Sequence, residues 1–322
     1  MITFVIRRFL QGLVVLFVVS FIAFFIFQYL GDPVLTLAGR YASQEQQAMV
    51  RKTLGLDHPF FIQYLKFVGN ALRGNFGMSY VSRVPVLELI IERLPASIEL
   101  ALMAELLAVV VGITLGVYVA ANSRNFLSKF FMTGSLFGVS LPTFLVGIIL
   151  IFIFSINFKL LPSSGRGEVV QIIGSWRTSF LTLDGLKHII LPAFTLGMFQ
   201  MALIFRMTRN TMLEALGAEY IRTAKAKGLR RVKVLVKHAL RNALIPVITM
   251  IGLQFGQLIG FAIVTESIFQ WPGAGNLLLT SMYESDFPVV ASYIIMVAIV
   301  VLLINIVVDI SYALLNPRIR YK

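Results

Sequence analysis

The residues that most often do chemistry in enzymes are scarce in this chain. It contains no cysteine, and its three histidines, His58, His188 and His238, are far apart in the sequence. Thiolates and clustered histidines are common nucleophiles and metal ligands, so we predict no catalytic residue and no metal site. The phosphate-binding pattern Gly-x-x-x-x-Gly-Lys-Ser/Thr is also absent. We therefore expect no ATP site of that kind, and no cofactor, in this chain.

Polar residues inside apolar segments form a second group of candidates. Such side chains usually face the interior of a helix bundle, where they can line the path of a solute. The candidates for this translocation path are Ser140, Thr143, Gln200, Gln254, Gln257 and Asn305. Helical spacing predicts that the first two share one face and that the glutamines at 254 and 257 share another. The alternative is that each of these residues forms a hydrogen bond between packed helices and does not line the path.

The composition indicates how these residues are positioned. The chain is 58% hydrophobic and only 13% charged, whereas soluble proteins have about 25% charged residues. About 20 apolar residues in a helix cross a bilayer. Charge-free windows lie at Leu10–Leu30, Leu106–Ala121, Phe130–Phe158, Ile189–Phe205, Ala243–Thr265 and Phe287–Val308. We predict an all-α integral membrane protein with six spans, of which the second begins near Ala96 and the third is kinked at Pro142 or tilted.

The distribution of basic residues predicts the orientation. Arg7 and Arg8 precede the first window, and ten basic residues lie between Arg206 and Arg241, whereas Glu266–Asp286 has no Lys or Arg. Because basic residues accumulate in cytoplasmic loops, both termini are predicted to be cytoplasmic. The net charge of +13 then follows membrane topology, and no nucleic-acid partner is expected. The first window is too long for a signal peptide and is predicted to stay as an anchor.

The spans and loops divide the chain into four parts. These are an N-terminal segment with the first span at 1–30, an extracytoplasmic helical subdomain at 31–95, a transmembrane core at 96–315 and a cytoplasmic tail at 316–322. In the subdomain, Ser43 and Gln46 form a capping-box pattern. Pro59 is expected to open a helix that ends near Leu72, and a third short helix is expected near Pro85.

The cytoplasmic loop at about 211–242 carries two amphipathic helical periods. The first contains Leu213, Leu216, Tyr220, Ile221 and Ala224, and the second contains Val232, Leu235, Val236, Ala239, Leu240 and Ala243. Gly228 lies between them, where a left-handed helix end is predicted. Two such helices could lie on anionic lipid or insert into a groove on a soluble partner. The partner interpretation is favoured, because a helix on a membrane surface needs no stop.

These residues carry a resemblance to a known family. Residues 219–228, Glu-Tyr-Ile-Arg-Thr-Ala-Lys-Ala-Lys-Gly, and 238–246, His-Ala-Leu-Arg-Asn-Ala-Leu-Ile-Pro, resemble the cytoplasmic signature loop of ABC importer permeases. The family's Glu-Ala-Ala triplet reads Arg222-Thr223-Ala224 here. Gly31-Asp32-Pro33, Arg93-Leu94-Pro95 and Trp271-Pro272-Gly273 extend the match over nearly the whole chain. The chain is similar to the first, B-type permease of the dipeptide/oligopeptide/nickel branch.

The resemblance implies a type I ABC importer permease fold in the bacterial inner membrane. In that family a second homologous permease pairs with the first, two cytoplasmic ATPases bind ATP and Mg, and a periplasmic binding protein delivers the substrate. Peptides or similar small solutes are then imported by alternating access. The resemblance implies an ATPase contact at Glu219, Thr223, Ala224, Lys227 and Gly228, with lipid around the spans. Segment 31–95 and the turn Trp271, Pro272 and Gly273 face outward and are expected to dock the binding protein.

Two other functions were weighed against this one. A secondary transporter works without an ATPase, but it often has ionisable residues near the middle of its spans. Those residues are nearly absent here, and the basic helical loop would be unexplained. An intramembrane enzyme would need a nucleophile, a carboxylate pair or a metal-binding set inside the spans, and none is found. The sequence leaves the substrate open among peptides, nickel complexes, opines, glutathione and antimicrobial peptides.

Overall fold

The computed structural model describes residues 2–30, 34, 43–54 and 56–315. The predicted Gly31-Asp32-Pro33 match and the tail at 316–322 lie outside the described residues. The helices and strands are α1 Ile2–Leu30, α2 Gln44–Leu54, α3 Phe60–Leu72, α4 Val86–Ala121, α5 Phe126–Ser140, α6 Thr143–Asn157, β1 Val170–Ile173, β2 Trp176–Thr178, α7 Leu183–Gly217, α8 Glu219–Ala226, α9 Arg231–Ile268, α10 Ala274–Tyr283 and α11 Phe287–Leu315.

Five of the described helices are long and apolar enough to cross a membrane. They are α1, α4, α7, α9 and α11. The third predicted span is broken, because the chain bends by 115° between α5 and α6. The two helices make a sixth span only if the bent pair is counted as one. Leu141, which precedes Pro142, is extended, with φ −84° and ψ 135°, because proline disfavours a helical residue before it. The break is at the predicted residue but is far sharper than a kink.

The helix α4 corrects the expected boundary at residue 95. The predicted short helix near Pro85 and the second span are one helix of 36 residues, and Pro95 lies inside it. Its first residue, Val86, follows Pro85 as expected. Proline is tolerated inside membrane helices because neighbouring groups satisfy the freed backbone atoms. The segment 31–95 therefore continues without a break into the core.

The helices α2 and α3 begin as the sequence predicts. Ser43 N donates to Gln46 Oε1 at 3.0 Å and Gln46 N donates to Ser43 Oγ at 3.3 Å, which is a capping box. The helix α3 begins directly after Pro59 and ends at Leu72. It packs on α1 through Tyr64, whose hydroxyl lies 2.8 Å from Ser20 Oγ. Edge-to-face contacts between aromatic rings of the two helices surround this hydrogen bond.

The core lies where α4, α7 and α9 meet. Its buried side chains on α4 are mostly alanines, whereas leucine and isoleucine predominate on α7 and α9. A Cβ added at Gly197 of α7 would lie 2.6 Å from the carbonyl oxygen of Ala104 on α4. Gly112 and Gly116 of α4 are similarly close to Ile204 and Thr208 of α7. Small residues let the two helix backbones approach closely, so this pair forms the rigid centre of the bundle.

A short antiparallel hairpin, β1 and β2, is an element that the sequence analysis did not predict. Val170 pairs with Thr178 and Gln171 pairs with Arg177. The hairpin immediately precedes α7, whereas α8 immediately follows α7. Since α7 has 35 residues and each residue adds about 1.5 Å, the hairpin and α8 lie about 50 Å apart, at opposite ends of a span.

Candidate functional site

The helix α8 projects from the ends of the spans α7 and α9. Ile221 and Ala224 are buried against side chains of α4, α7 and α9, and they fix α8 to the bundle. The other face, with Glu219 and Thr223, is exposed. Thr223 Oγ1 donates to the carbonyl oxygen of Glu219 at 3.2 Å, within the helix. The helix is thus held on one side and free on the other.

The predicted pair of short helices at 211–242 is wrong. Residues 211–217 are the last part of α7, and residues from Arg231 onward belong to α9, which contains a π-helical stretch at Val234–Leu240. Only α8 is a separate short helix. The chain turns between α7 and α8 because Ala218 is extended, with φ −74° and ψ 151°. The first predicted apolar stripe is therefore divided between two helices.

Of the five predicted coupling residues, the structure exposes four and buries one. Glu219, Thr223, Lys227 and Gly228 are exposed. Ala224 is only 6% exposed, because its side chain faces the buried cluster that attaches α8 to the bundle. A direct contact of Ala224 with another protein is incompatible with this position. Its role is to pack α8 against the bundle.

The end of α8 has the left-handed geometry that the sequence predicts. Gly228 has φ +73°, and its N–H donates to the carbonyl oxygen of Lys225 at 2.9 Å, while Leu229 N donates to that of Ala224 at 3.4 Å. This pair of bonds is a Schellman motif, which favours glycine because a Cβ is strained at positive φ. A Cβ at Gly228 would meet no atom within 4 Å. Gly228 therefore faces open space.

The surface around α8 is strongly basic. Its exposed basic side chains are Arg222, Lys225, Lys227, Arg230, Arg231, Lys233, Lys237 and Arg241. Over residues 219–241 the sequence offers Glu219 as the acidic residue, and its carboxylate pairs with Arg222 at 2.8 Å. Arg231 donates to the carbonyl oxygen of Ala121 at 2.8 Å and so ties the loop to the end of α4. A basic, partly apolar surface of this kind fits an acidic partner surface.

At the opposite end of the bundle, the predicted docking turn is mostly buried. Trp271 is 0% exposed and its Nε1–H donates to the carbonyl oxygen of Ala96 at 2.9 Å. Gly273 is also buried, while Pro272 is half-buried. In this structure Trp271 and Gly273 do not form a docking surface, because their surroundings are α4 and α9 of the same chain.

A buried carboxylate holds this turn in place. Glu266 Oε1 accepts a hydrogen bond from Ser97 Oγ at 2.5 Å, and Glu266 Oε2 accepts one from Asn276 N at 2.9 Å. Ser97 Oγ in turn accepts from Ala274 N at 2.8 Å. A Cβ on Gly273 would collide with the Glu266 carboxylate, so glycine is required there for packing. The turn therefore connects α4, α9 and α10.

A second buried acid, Glu99 of α4, pairs with Arg166. Arg166 Nη2 lies 2.7 Å from Glu99 Oε2, with side chains 9% and 3% exposed. Ser179 Oγ also donates to this oxygen at 3.0 Å, and the guanidinium carbon lies 6.0 Å from the Trp271 ring centre. A carboxylate inside a membrane-spanning helix is costly unless it is paired, and Arg166 is the partner of Glu99. Sequence reasoning missed the partner, because 67 residues separate the two and no local pattern links them.

The family of the chain follows from comparison with known proteins. A family model described as a binding-protein-dependent transport system inner membrane component matches residues 112–321. A second model, for the N-terminal part of such membrane components, matches residues 1–101. This chain belongs to the family of binding-protein-dependent inner-membrane permeases. It is accordingly a multi-pass protein of the bacterial inner membrane.

Individual relatives agree with this assignment. The permease is 41% identical over 307 residues to the dipeptide transport system permease protein DppB of Escherichia coli K12, with 91% of each chain covered. It is 41% identical to the di/tripeptide transport system permease protein DppB of Pseudomonas aeruginosa and 39% identical to the glutathione transport system permease protein GsiC of E. coli K12, with all of each chain covered.

A solved structure supports the fold. A chain of the MetNI methionine ABC transporter matches with a TM-score of 0.56 at 17% identity, covering 71% of this permease and 97% of that chain. The predicted type I ABC importer permease fold is confirmed.

The predicted translocation-path residues of the permease are not brought together. Gln200 is buried and its Nε2 donates to Glu105 Oε2 at 3.2 Å, so it serves at least a packing role. Ser140 and Thr143 do not share a helical face, because the break at Pro142 separates them into α5 and α6.

The other three candidates differ in exposure. Gln257 is exposed, while Gln254 and Asn305 are half-buried. Gln254 Oε1 is covered and has no hydrogen-bond partner among the described residues. A covered polar atom without a partner inside a bundle is costly, so Gln254 Oε1 is available to accept a hydrogen bond from another molecule. The path itself stays a prediction.

Proposed function

We propose that this permease is a transmembrane subunit of an ATP-driven ABC importer for peptides. The relatives named for dipeptide, di/tripeptide and glutathione transport support a substrate class of short peptides and peptide-like solutes. The observation that carries the mechanism is α8, a short exposed helix fixed between two spans by Ile221 and Ala224. Force applied to this helix reaches α4, α7 and α9 directly.

The ATPase is the partner that α8 fits. The exposed face of α8 carries Glu219 and Thr223 among basic side chains. Gly228, at the end of the helix, has no side chain that would block the surface of a partner. A helix of this kind inserts into a groove of a soluble protein. ATP and Mg are bound by two ATPase subunits and not by this chain, and closure of the ATPases moves α8 and rocks the spans between inward- and outward-facing states.

Two more partners complete the assembly. A second homologous permease provides the other half of the translocation path. A periplasmic binding protein delivers the peptide at the end of α7 opposite to α8, where the hairpin exposes Ile172, Ile173 and Trp176. We expect both termini to lie in the cytoplasm, in line with the basic residues beside α8.

Uptake into vesicles tests this function. The complete complex is reconstituted, and a radiolabelled dipeptide and glutathione are offered with binding protein outside and ATP inside. We expect accumulation that falls to background when either ATP or binding protein is left out. A hairpin variant with Ile172→Asp and Ile173→Asp, at two exposed side chains, should need a higher binding-protein concentration for half-maximal uptake. Accumulation driven by an ion gradient without ATP would identify a secondary transporter and contradict the proposal.

A further inference from the structure

A pocket lies between α5 and α7, at the end of α7 that leads to α8. Its volume is about 370 Å³. One wall is apolar and contains Met132, Leu136 and Phe205, and the other carries the cations Arg206 and Arg209. The pocket begins where the charge-free window of α7 ends, at Phe205. It is therefore located at the boundary between apolar and polar surroundings.

The two arginines lack an acidic partner in the described part of the chain. Arg206 Nη2 donates to the carbonyl oxygen of Ser135 at 3.1 Å, and Arg209 Nη1 donates to Asn210 Oδ1 at 3.1 Å. The Nε atom of Arg209 is covered and has no hydrogen-bond partner among the residues that the structure describes. Each guanidinium has five N–H donors, so most of their donor capacity is unused. The ion pairs among the described side chains involve other cations.

This arrangement is unfavourable without an anion. The arginines are three residues apart on one helix, where like charges repel, and both are half-buried. A partly buried charge without an opposite charge beside it loses part of its solvation. An oxyanion such as a phosphate or carboxylate group accepts several guanidinium hydrogen bonds at once. Such a group would satisfy both cations.

We propose that this pocket binds the phosphate group of an anionic membrane lipid. The apolar wall favours a lipid over a free anion, because Met132 and Leu136 are exposed beside the arginines and offer a surface for acyl chains. Basic pockets between membrane helices are typical sites for lipid headgroups. The lining residues Arg206, Arg209 and Asn210 belong to the last part of α7, so lipid binding stabilises the part of this helix that precedes α8. The proposal does not depend on which solute is transported.

Lipid titration in nanodiscs tests the site. The assembled complex is placed in phosphatidylcholine nanodiscs with increasing phosphatidylglycerol, and bound phosphatidylglycerol is counted by native mass spectrometry. We expect Arg209→Gln to weaken the apparent lipid affinity about fivefold, since one arginine near a membrane surface contributes about 1 kcal/mol. Arg206→Gln should have a similar effect and serves as a second variant if the first does not fold. The control Arg222→Gln removes an exposed charge on α8 and should leave this affinity unchanged.

Soluble anions distinguish the source of the oxyanion. With phosphatidylcholine as the only lipid, any rise in melting temperature caused by inorganic phosphate or a dipeptide should be the same in the wild-type complex and in Arg209→Gln. Added phosphatidylglycerol should raise the melting temperature of the wild type more than that of Arg209→Gln. Stabilisation by phosphate or dipeptide that Arg209→Gln abolishes would assign the pocket to a soluble anion and overturn the lipid proposal. Equal lipid affinity of the wild type and both variants would overturn it as well.

Discussion

Replacing Gly228 with aspartate should lower ATP-driven peptide uptake by about tenfold or more, while the permease still inserts and assembles. The new side chain points into open space, so packing inside the permease is unaffected. It would meet the ATPase surface, which we expect to be acidic because the surroundings of α8 are basic. A like-charge contact at an interface costs several kcal/mol. The measurement is uptake into vesicles with ATP hydrolysis followed in parallel.

The neutral variant Gly228→Asn is the matched control. It introduces a side chain of nearly the same size at the same positive φ, +73°, but without the charge. The local strain, about 1 kcal/mol for a residue with a Cβ, is therefore the same in both variants. Uptake by Gly228→Asn should stay near the wild-type rate. Equal losses in both variants would mean that strain or bulk, and not a like-charge contact with the ATPase, explains the effect.

Replacing Arg166 with methionine should destabilise the permease by about 3–5 kcal/mol, because it leaves the Glu99 carboxylate buried without its cation. Removing both charges, with Glu99→Gln and Arg166→Met together, should recover most of this loss, since the cost arises from the unpaired charge. The free energy of unfolding is measured by titration from mild detergent into dodecyl sulfate.

The exposed pair of Glu219 and Arg222 is the control for that experiment. Their side chains are 82% and 72% exposed, and exposed pairs contribute about 0–1 kcal/mol. Arg222→Met should therefore change the free energy of unfolding by far less than Arg166→Met. A loss below about 1 kcal/mol for Arg166→Met would show that water or another group replaces the guanidinium.

The membrane-spanning helices were predictable because a charge-free window of sufficient length has few alternatives to a helix in a bilayer. The break at Pro142 was predicted in position, since proline acts on the residue before it. Its angle was not predictable, because it depends on contacts remote in sequence. Gly138 packs close to Ala202 of α7, and Gly147 packs close to Phe269 beyond α9.

The loop around α8 shows where hydrophobic periodicity misleads. The apolar stripe continues in sequence through Gly217 and Ala218, but the chain turns there and places its two parts on different helices. A glycine inside a helical pattern was the available signal. By contrast, Gly228 was predicted correctly, since a left-handed helix end is a local property of the chain. Burial of Ala224 was not local and was missed.

The end of the bundle opposite α8 was the least predictable part. Trp271 is expected from sequence to dock the binding protein, because its turn with Pro272 and Gly273 is predicted to face outward from the membrane. Its burial depends on Glu266 and Ala96, which belong to different helices. No local pattern in the sequence indicates that Glu266 is buried, so the anchoring of this turn becomes visible only in the tertiary structure.

Crosslinking at α8 tests the central claim, that this helix contacts the ATPase, most directly. The chain has no cysteine, so an introduced cysteine gives a unique attachment point for a short thiol-to-amine crosslinker. Thr223→Cys in the assembled complex should crosslink to the ATPase, whereas Ala224→Cys, which is buried, and Ser164→Cys, which precedes the hairpin, should not. Absence of the Thr223→Cys product, or equal products from all three variants, would contradict the account.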